Sequence, residues 1–312
     1  MTLMKKLLTT IAALAALGCG LLSAQAVQYS VDLSPFSAVD ISGPFEVSLV
    51  RGQQPRALIS VLDPYKEYVI CSVDAGVLSI GLDEKKVPSD VKRQFRGKGT
   101  PDPVYSAIVY VPDLLQAVTM SGKAVLRDTE DVFDKSRTVF TLDGQASVMT
   151  LNVSSLVFSL DMRGKSTADL KAVCRETSVT LSGSSSLTMD EQTDKSQYNL
   201  SGSSKARVKS KTMSFNVIAK ANASMTLAGS SDGANYELAG TSEVDASLFE
   251  VSDADVRMTS VTRLSVAAAN VLRVNLNGGS TLQFLGDPSV VIDNVRSASM
   301  TRLPGDGNTT KL

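Results

Sequence analysis

The segments Val179-Thr-Leu181-Ser-Gly183-Ser-Ser185-Ser-Leu187 and Tyr198-Asn-Leu200-Ser-Gly202-Ser-Ser204-Lys-Ala206 show the pattern that dominates this chain. Apolar residues occupy every second position, which is the periodicity of a β-strand, and a glycine lies near the centre. Related segments recur every 18 to 22 residues from Val118 to Leu303, ten in all. We call the glycine position the anchor. It holds Gly in seven segments and Ala or Ser in the rest, and two places later the residue is always Ala, Ser or Thr.

A short fixed period with strand periodicity inside each unit predicts an all-β solenoid with rungs of about 19 residues. We expect the anchors to stack where the chain bends sharply and the large apolar residues to fill the interior. The alternative is an antiparallel sandwich of Ser/Gly-rich hairpins. Turn pairs such as Asn-Gly, which mark tight hairpins, are nearly absent here.

The first 26 residues read as a signal peptide. Lys5 and Lys6 precede an apolar run from Leu7 to Leu17, and Ser23-Ala-Gln-Ala26 supplies a small-x-small cleavage site, so the mature chain would begin near Val27. Ala16-Leu-Gly-Cys19 offers a competing lipoprotein site, at which Cys19 would carry a lipid anchor. No later apolar stretch reaches the roughly 20 residues of a membrane-spanning helix. We expect a periplasmic or cell-surface location.

The mature chain divides into an N-terminal β cap over residues 27–107 and regular repeats over residues 108–312. The anchor motif occurs once in the cap, at Val39-Asp-Ile41-Ser-Gly43-Pro-Phe45-Glu-Val47. Strand-like runs follow at Ala57–Leu62, Tyr68–Val73, Val77–Leu82 and Val104–Val111. An irregular cap has a physical reason, because the first rung of a solenoid exposes unpaired backbone and apolar interior.

A basic segment lies between Asp83 and Pro103. As a binding site for an acidic glycan or a lipid headgroup it would use Lys92, Arg93, Phe95, Arg96 and Lys98. The structural alternative, which we favour, is a long solvated loop.

Composition excludes several kinds of site. The chain has no histidine, so Ser-His-Asp and Cys-His catalysis and the usual zinc and iron sites are ruled out. We find no phosphate loop or dinucleotide fingerprint and predict no cofactor and no metal. With 31 basic and 32 acidic residues, nucleic acid is not an expected partner. Cys71 and Cys174 follow apolar residues and read as two separate buried thiols, with a disulfide as the alternative.

Two further sets of polar residues are candidates for function. A polysaccharide-active site would use carboxylates and a basic residue, and the best set is Asp143, Asp161, Arg163, Lys165 and Asp169. Rows of hydroxyls and amides beside the anchors would suit an extended glycan or peptide: Ser121, Ser182, Ser184, Ser201, Ser203, Thr241, Thr259 and Asn277. For both sets a solvated surface or turn-stabilising role is the simpler interpretation.

The chain also resembles a known family. The blocks that carry the resemblance are Phe36 to Gly52, Gly76-Val-Leu78-Ser-Ile80, Val109-Tyr-Val111-Pro112-Asp-Leu114 and Val118-Thr-Met120-Ser-Gly122. They are similar to the head GIN domain family of auto-transporter adhesins, over essentially the mature chain. The resemblance implies a right-handed parallel β-helix, export and an envelope location, often as a lipoprotein. It implies no catalytic residues.

We therefore predict a non-catalytic, adhesin-like envelope protein that binds a glycan or another envelope protein. The alternative is a β-helical polysaccharide lyase or hydrolase that works through Asp and Arg/Lys.

Overall fold

The computed structural model describes residues 26–94, 105–129 and 131–304. It is a β-solenoid of about 10 turns whose rungs lie about 19 residues apart, as the repeat predicts. Strands make up 68% of the chain and helix 4%. The solenoid prediction is therefore confirmed, and the hairpin sandwich is excluded.

Among the described residues, the N-terminal part holds short strands and two helical segments. In chain order these are β1 (Ala26–Asp32), β2 (Ala38–Ile41), β3 (Phe45–Arg51), β4 (Arg56–Leu62), a 3-10 helix (Asp63–Tyr68), β5 (Val69–Asp74), β6 (Val77–Leu82), α1 (Ser89–Gln94) and β7 (Tyr105–Val111).

The regular part consists of short strands at both ends and long, bent strands in the middle. They are β8 (Ala117–Met120), β9 (Val125–Thr129), β10 (Arg137–Leu142), β11 (Ser147–Met162), β12 (Thr167–Leu181), β13 (Ser186–Gln192), β14 (Lys195–Leu200), β15 (Lys205–Ala219), β16 (Ser224–Leu238), β17 (Glu243–Met258), β18 (Arg263–Asn277), β19 (Thr281–Leu285), β20 (Ser289–Arg296) and β21 (Ser299–Arg302).

All pairing between neighbouring rungs is parallel from β8 to β21. The register stacks like residues: Val179 pairs with Tyr198, which pairs with Val217, which pairs with Tyr236. Each of these side chains is buried, so the inward direction that strand periodicity predicts for the two tyrosines is confirmed. One continuous apolar core runs along the solenoid axis.

The cap closes the N-terminal end with antiparallel strands. The unit β2-Gly43-β3 stacks on β8 and β9 as a first rung, while β6 and β7 pair with its other edge. Beyond them, β5 pairs antiparallel to β6, and β4 and β1 extend the sheet from β7. Strand β7 spans residue 107, so the cap and the repeats share one sheet. Antiparallel strands end the parallel stack because they pair with its edge without adding a rung.

The anchors form a column of left-handed backbone. Gly183 has φ +70°, and where glycine is missing Ala221 and Ser260 keep φ values of 60° and 66°. A Cβ added to Gly183 would lie 2.7 Å from the carbonyl oxygen of Gly164. That oxygen accepts a hydrogen bond from the backbone N–H of Ser184 at 2.7 Å. Glycine is thus favoured twice here, by its φ angle and by the close approach of the rung below.

The structure corrects the predicted position of the last anchor. Aligning the sequence places its anchor at Ser299, but the left-handed residue is Ser297, and Val295 pairs with Leu276. The sequence alignment places this anchor two residues too far along the chain, and strand alternation does not reveal the error because a shift of two residues keeps the same side chains facing inward. The pairing itself changes register once, at Asp293, between the pairs Val274–Ile292 and Asn275–Asn294. An extra residue in a strand is a β-bulge, which moves the following residues relative to the repeat.

A second corner interrupts the long strands about ten residues after each anchor. Cys174, Thr193, Thr212 and Ser231 occupy it at intervals of 19 residues. The hydroxyls of Thr193, Thr212 and Ser231 each donate to the carbonyl two residues later, at 3.1, 3.2 and 2.8 Å. These bonds satisfy backbone oxygens that the bend removes from the sheet. Cys174 and Cys71 are both free, as predicted, but they are half-buried and not buried.

The anchor column leads to a first prediction. Gly183→Val should lower the unfolding free energy by roughly 2 kcal/mol or more, because a β-branched residue is strained at positive φ and meets the rung below. Ser184→Val, on the exposed neighbouring position, should change it little. Thermal unfolding of both variants tests the column, and equal shifts in Tm would contradict it.

The second prediction compares two buried threonines, Thr212 at the second corner and Thr262 beside the anchor corner. Thr212 Oγ1 is hydrogen-bonded, whereas the fully buried Thr262 Oγ1 has no partner. Thr212→Val should destabilise the protein by about 1 kcal/mol, while Thr262→Val should be neutral or stabilising. Denaturation of the two variants measures the difference. A larger loss for Thr262→Val would show that its hydroxyl has a role that the structure does not reveal.

Candidate binding surface

The described part of the basic segment after Asp83 packs against the cap. Val87 is buried, and Lys92 and Arg93 lie in helix α1. Lys92 Nζ donates to the Glu84 carbonyl oxygen at 2.5 Å, and Arg93 Nε donates to that of Ser89 at 3.4 Å. These two predicted site residues thus contact their own segment. Phe95, Arg96 and Lys98 lie outside the described residues.

The predicted catalytic set pairs locally. Arg163 Nη2 lies 2.6 Å from Asp161 Oδ2, and this exposed ion pair raises the pKa of Arg163. Asp143 accepts the N–H of Gly144 at 2.7 Å, and Asp169 accepts from Thr150 Oγ1 at 3.1 Å. Each of these carboxylates therefore has a short local contact of its own.

The hydroxyls beside the anchors bond mainly to backbone. Ser182, Ser201 and Thr259 donate to a carbonyl of the preceding rung at 3.3 to 3.4 Å. Thr241 does the same to Ala221 at 3.1 Å. This geometry favours the turn-stabilising interpretation of the column over a role in ligand recognition.

Two broad depressions lie at and beside the second corner, which sequence analysis does not single out. One depression of about 670 Å³ is lined by Gln192, Thr193, Asp194, Lys211, Met213 and Asp232, among others. A second, of about 630 Å³, is lined by Asn152, Lys171, Val173, Asp190, Glu191 and Gln192, among others. We call the two together the lateral groove, since they adjoin at Gln192.

The lateral groove combines polar and apolar contacts. Val173 and Met213 are 59% and 58% exposed, which is high for large apolar side chains. Asp194 lies 3.7 Å from Arg175, and Asp190 lies 3.9 Å from Lys209. Such weak, exposed ion pairs cost little to rearrange. The groove crosses several rungs, so it would fit an extended ligand that lies along the solenoid axis.

Glu191 is the exceptional residue of the groove wall. It occupies an inward position of β13 and is 1% exposed, between Ala172 on the rung below and Ser210 on the rung above. Burial raises the pKa of this carboxyl, while hydrogen bonds from Ser196 and Ser210 oppose the shift. A glutamate at an inward strand position between Ala172 and Ser210 is the available sequence signal for this feature. The sequence signal for the corner itself is the 19-residue interval between successive members of the series Cys174, Thr193, Thr212 and Ser231.

Two other properties concern the described ranges only. Within them, no group of three or more His, Cys, Asp or Glu side chains could hold a metal ion. Nor do these ranges contain a helix long and apolar enough to cross a bilayer.

Comparison with solved structures supports the fold. A "putative adhesin" from Parabacteroides distasonis aligns with a TM-score of 0.50 and 13% identity, over 89% of this chain and 97% of that one. A "putative adhesin" from Parabacteroides merdae aligns with a TM-score of 0.48 and 14% identity, over 90% and 97%. A "putative lipid binding protein" from P. distasonis gives a TM-score of 0.45 and 15% identity, over 89% and 97%. At 13% identity the first alignment shows a shared fold alone. The other two have TM-scores below 0.5, and no conclusion is based on them.

The family is shown by the sequence. No curated protein matches the chain. The family model described as "Putative auto-transporter adhesin, head GIN domain" matches residues 35–214 and again residues 177–288. The two matches together include the first rung, most of the cap and nearly all regular rungs. The chain therefore belongs to the head GIN domain family.

Proposed function

We propose that this protein is an exported, non-catalytic binding module of the cell envelope, and that its lateral groove contacts a glycan or another envelope component. The observation that carries the proposal is the groove itself, a mixed polar and apolar surface that crosses several rungs. An extended polymer lying along the axis would meet equivalent positions of successive rungs about 4.8 Å apart.

Export and location rest on the leader sequence and the family. Residues 1–26 have the charge, apolar run and cleavage site of a signal peptide. Processing after Ala26 would release a periplasmic or surface protein, whereas processing before Cys19 would attach it to a membrane through lipid. The cap over 27–107 and the repeats over 108–312 would then act as one unit outside the cytoplasm.

The non-catalytic part of the proposal is supported by the candidate acids. Asp161 is paired with Arg163, and Asp143 is bonded to its own anchor, so these two candidate acids are engaged in local contacts. Release of product from any polymer would contradict this part and restore the enzymatic alternative.

The third prediction tests the groove. Wild-type mature protein is screened on an array of glycans and envelope polymers, with product detection, and each polymer bound is titrated against two double variants. Gln192→Ala with Lys211→Ala removes exposed polar groups of the groove and should weaken binding about tenfold.

The matched control is Gln197→Ala with Lys220→Ala, which removes the same groups from exposed positions outside the groove lining. It should stay within about twofold of wild type. Equal losses in both variants would place the binding surface elsewhere, and an array without any bound polymer would reject these classes of ligand.

A fourth prediction concerns maturation. Mass spectrometry of the protein recovered from its own cell envelope should find an N-terminus at Val27, or an acylated Cys19. An N-terminus at Met1 would contradict export.

A further inference from the structure

Glu191 is a buried acid inside the solenoid, directly beneath the lateral groove. Strand β13, which carries it, pairs with β12 on one side and β15 on the other. The neighbouring outward residue, Gln192, belongs to both halves of the groove. A change in the position of β13 at Glu191 would therefore change the shape of the groove.

The contacts of the carboxyl join neighbouring rungs. Glu191 Oε1 accepts hydrogen bonds from Ser196 Oγ at 2.7 Å and from Ser210 Oγ at 2.8 Å. Ser196 is on its own rung, after the second corner, and Ser210 is on the next. One oxygen thus holds the two sides of the corner and two successive rungs together.

The other carboxyl oxygen is buried and unsatisfied. The carboxyl lies near the hydroxyls of Thr177 and Tyr198, but Oε2 has no hydrogen bond of normal geometry. Tyr198 directs its hydroxyl towards Met189 Sδ at 3.4 Å. A protonated Oε2 could donate to the unpartnered Thr177 Oγ1, whereas an ionised carboxylate would be a buried charge that hydroxyl groups stabilise only in part, with no lysine or arginine among the described groups that shift its pKa.

We propose that Glu191 is a proton-dependent latch in the wall of the lateral groove, which holds β12, β13 and β15 together when protonated and loosens them when ionised. The effect on ligand binding rests on the proposed function of the groove, whereas the effect on the rungs does not.

The direction with pH follows from burial. In the unfolded chain Glu191 ionises near its ordinary pKa of 4.5, and in the folded protein its pKa is higher. The folded state then binds more protons than the unfolded state between the two values. Protonated Glu191 therefore contributes its full stabilisation below the unfolded pKa. That contribution decreases as the pH rises above the unfolded pKa and through the folded one.

Other titratable groups that face Glu191 stay neutral in this range. From β12, burial raises the pKa of the Cys174 thiol to about 11, and from β14, burial raises the pKa of Tyr198 well above its usual value. Strand β15 contributes the uncharged Ser210, and the flanking Asp190 of β13 points outward, 3.9 Å from Lys209. Between about pH 4 and 8, Glu191 is therefore the group in this cluster whose titration changes the interior.

The test compares wild type, Glu191→Gln and the control Glu237→Gln, which changes an exposed glutamate of β16. Glu191→Gln cannot ionise, so its Tm relative to wild type should increase with pH, by about 3 °C or more between pH 4 and 8. Glu237→Gln should keep a constant difference. Any destabilisation by the glutamine itself is common to both pH values and cancels in this comparison.

Hydrogen exchange without ligand locates the effect. At about pH 8, amides of residues 186–192 and 205–214 should exchange faster in wild type than in Glu191→Gln, while at about pH 4 the two should agree. Peptides from β10 serve as a distant control. A pH-independent Tm difference, or equal exchange at the higher pH, would overturn the latch. Failure to bind any polymer would reject the proposed function alone and leave these results intact.

Discussion

The close backbone contact at the anchor column is the constraint on which the rest of the structure depends. Along the regular corners the N–H after the anchor donates to the anchor carbonyl of the rung below, at 2.7 Å for Ser184, Ser203 and Thr241. The contact requires a left-handed residue with little or no side chain. Once these corners are stacked, strands on both sides must pair in parallel with the same register. The columns of apolar residues inside the solenoid follow from that register.

The two corners of a rung satisfy their backbone hydrogen-bonding groups in different ways. This difference explains why the surface that varies between rungs lies at the second corner. The anchor corner is satisfied by backbone from the next rung, so it tolerates few substitutions. The second corner is satisfied by side-chain hydroxyls, as in Thr193 and Thr212. Side-chain satisfaction allows different residues and extra ones, and β17 has register shifts close to this corner, at Ala246–Glu250 and Val251–Asp253. A groove that varies between rungs can carry recognition without disturbing the stack.

Part of the fold and of the candidate surface can be predicted from the sequence, and part cannot. The inward direction of Tyr198 and Tyr236 follows from strand periodicity. The repeat also locates the regular anchors up to Gly278, whereas the last anchor is misplaced because a shift of two residues preserves the strand alternation. The lateral groove is missed for a different reason. Its residues are ordinary polar side chains on separate rungs, and they form a surface only because the second corner brings them to one side of the solenoid.

The sequence by itself determined the solenoid, its rung length, its inward and outward faces and its family, because a repeated local pattern needs only nearest-neighbour stacking to be satisfied. The tertiary structure alone decided that polar residues of separate rungs form a groove at the second corner, that Arg163 pairs with Asp161, and that Glu191 is buried among hydroxyls. Those outcomes depend on contacts between residues of different rungs or on the exact bend of the chain, and neither is contained in the repeat.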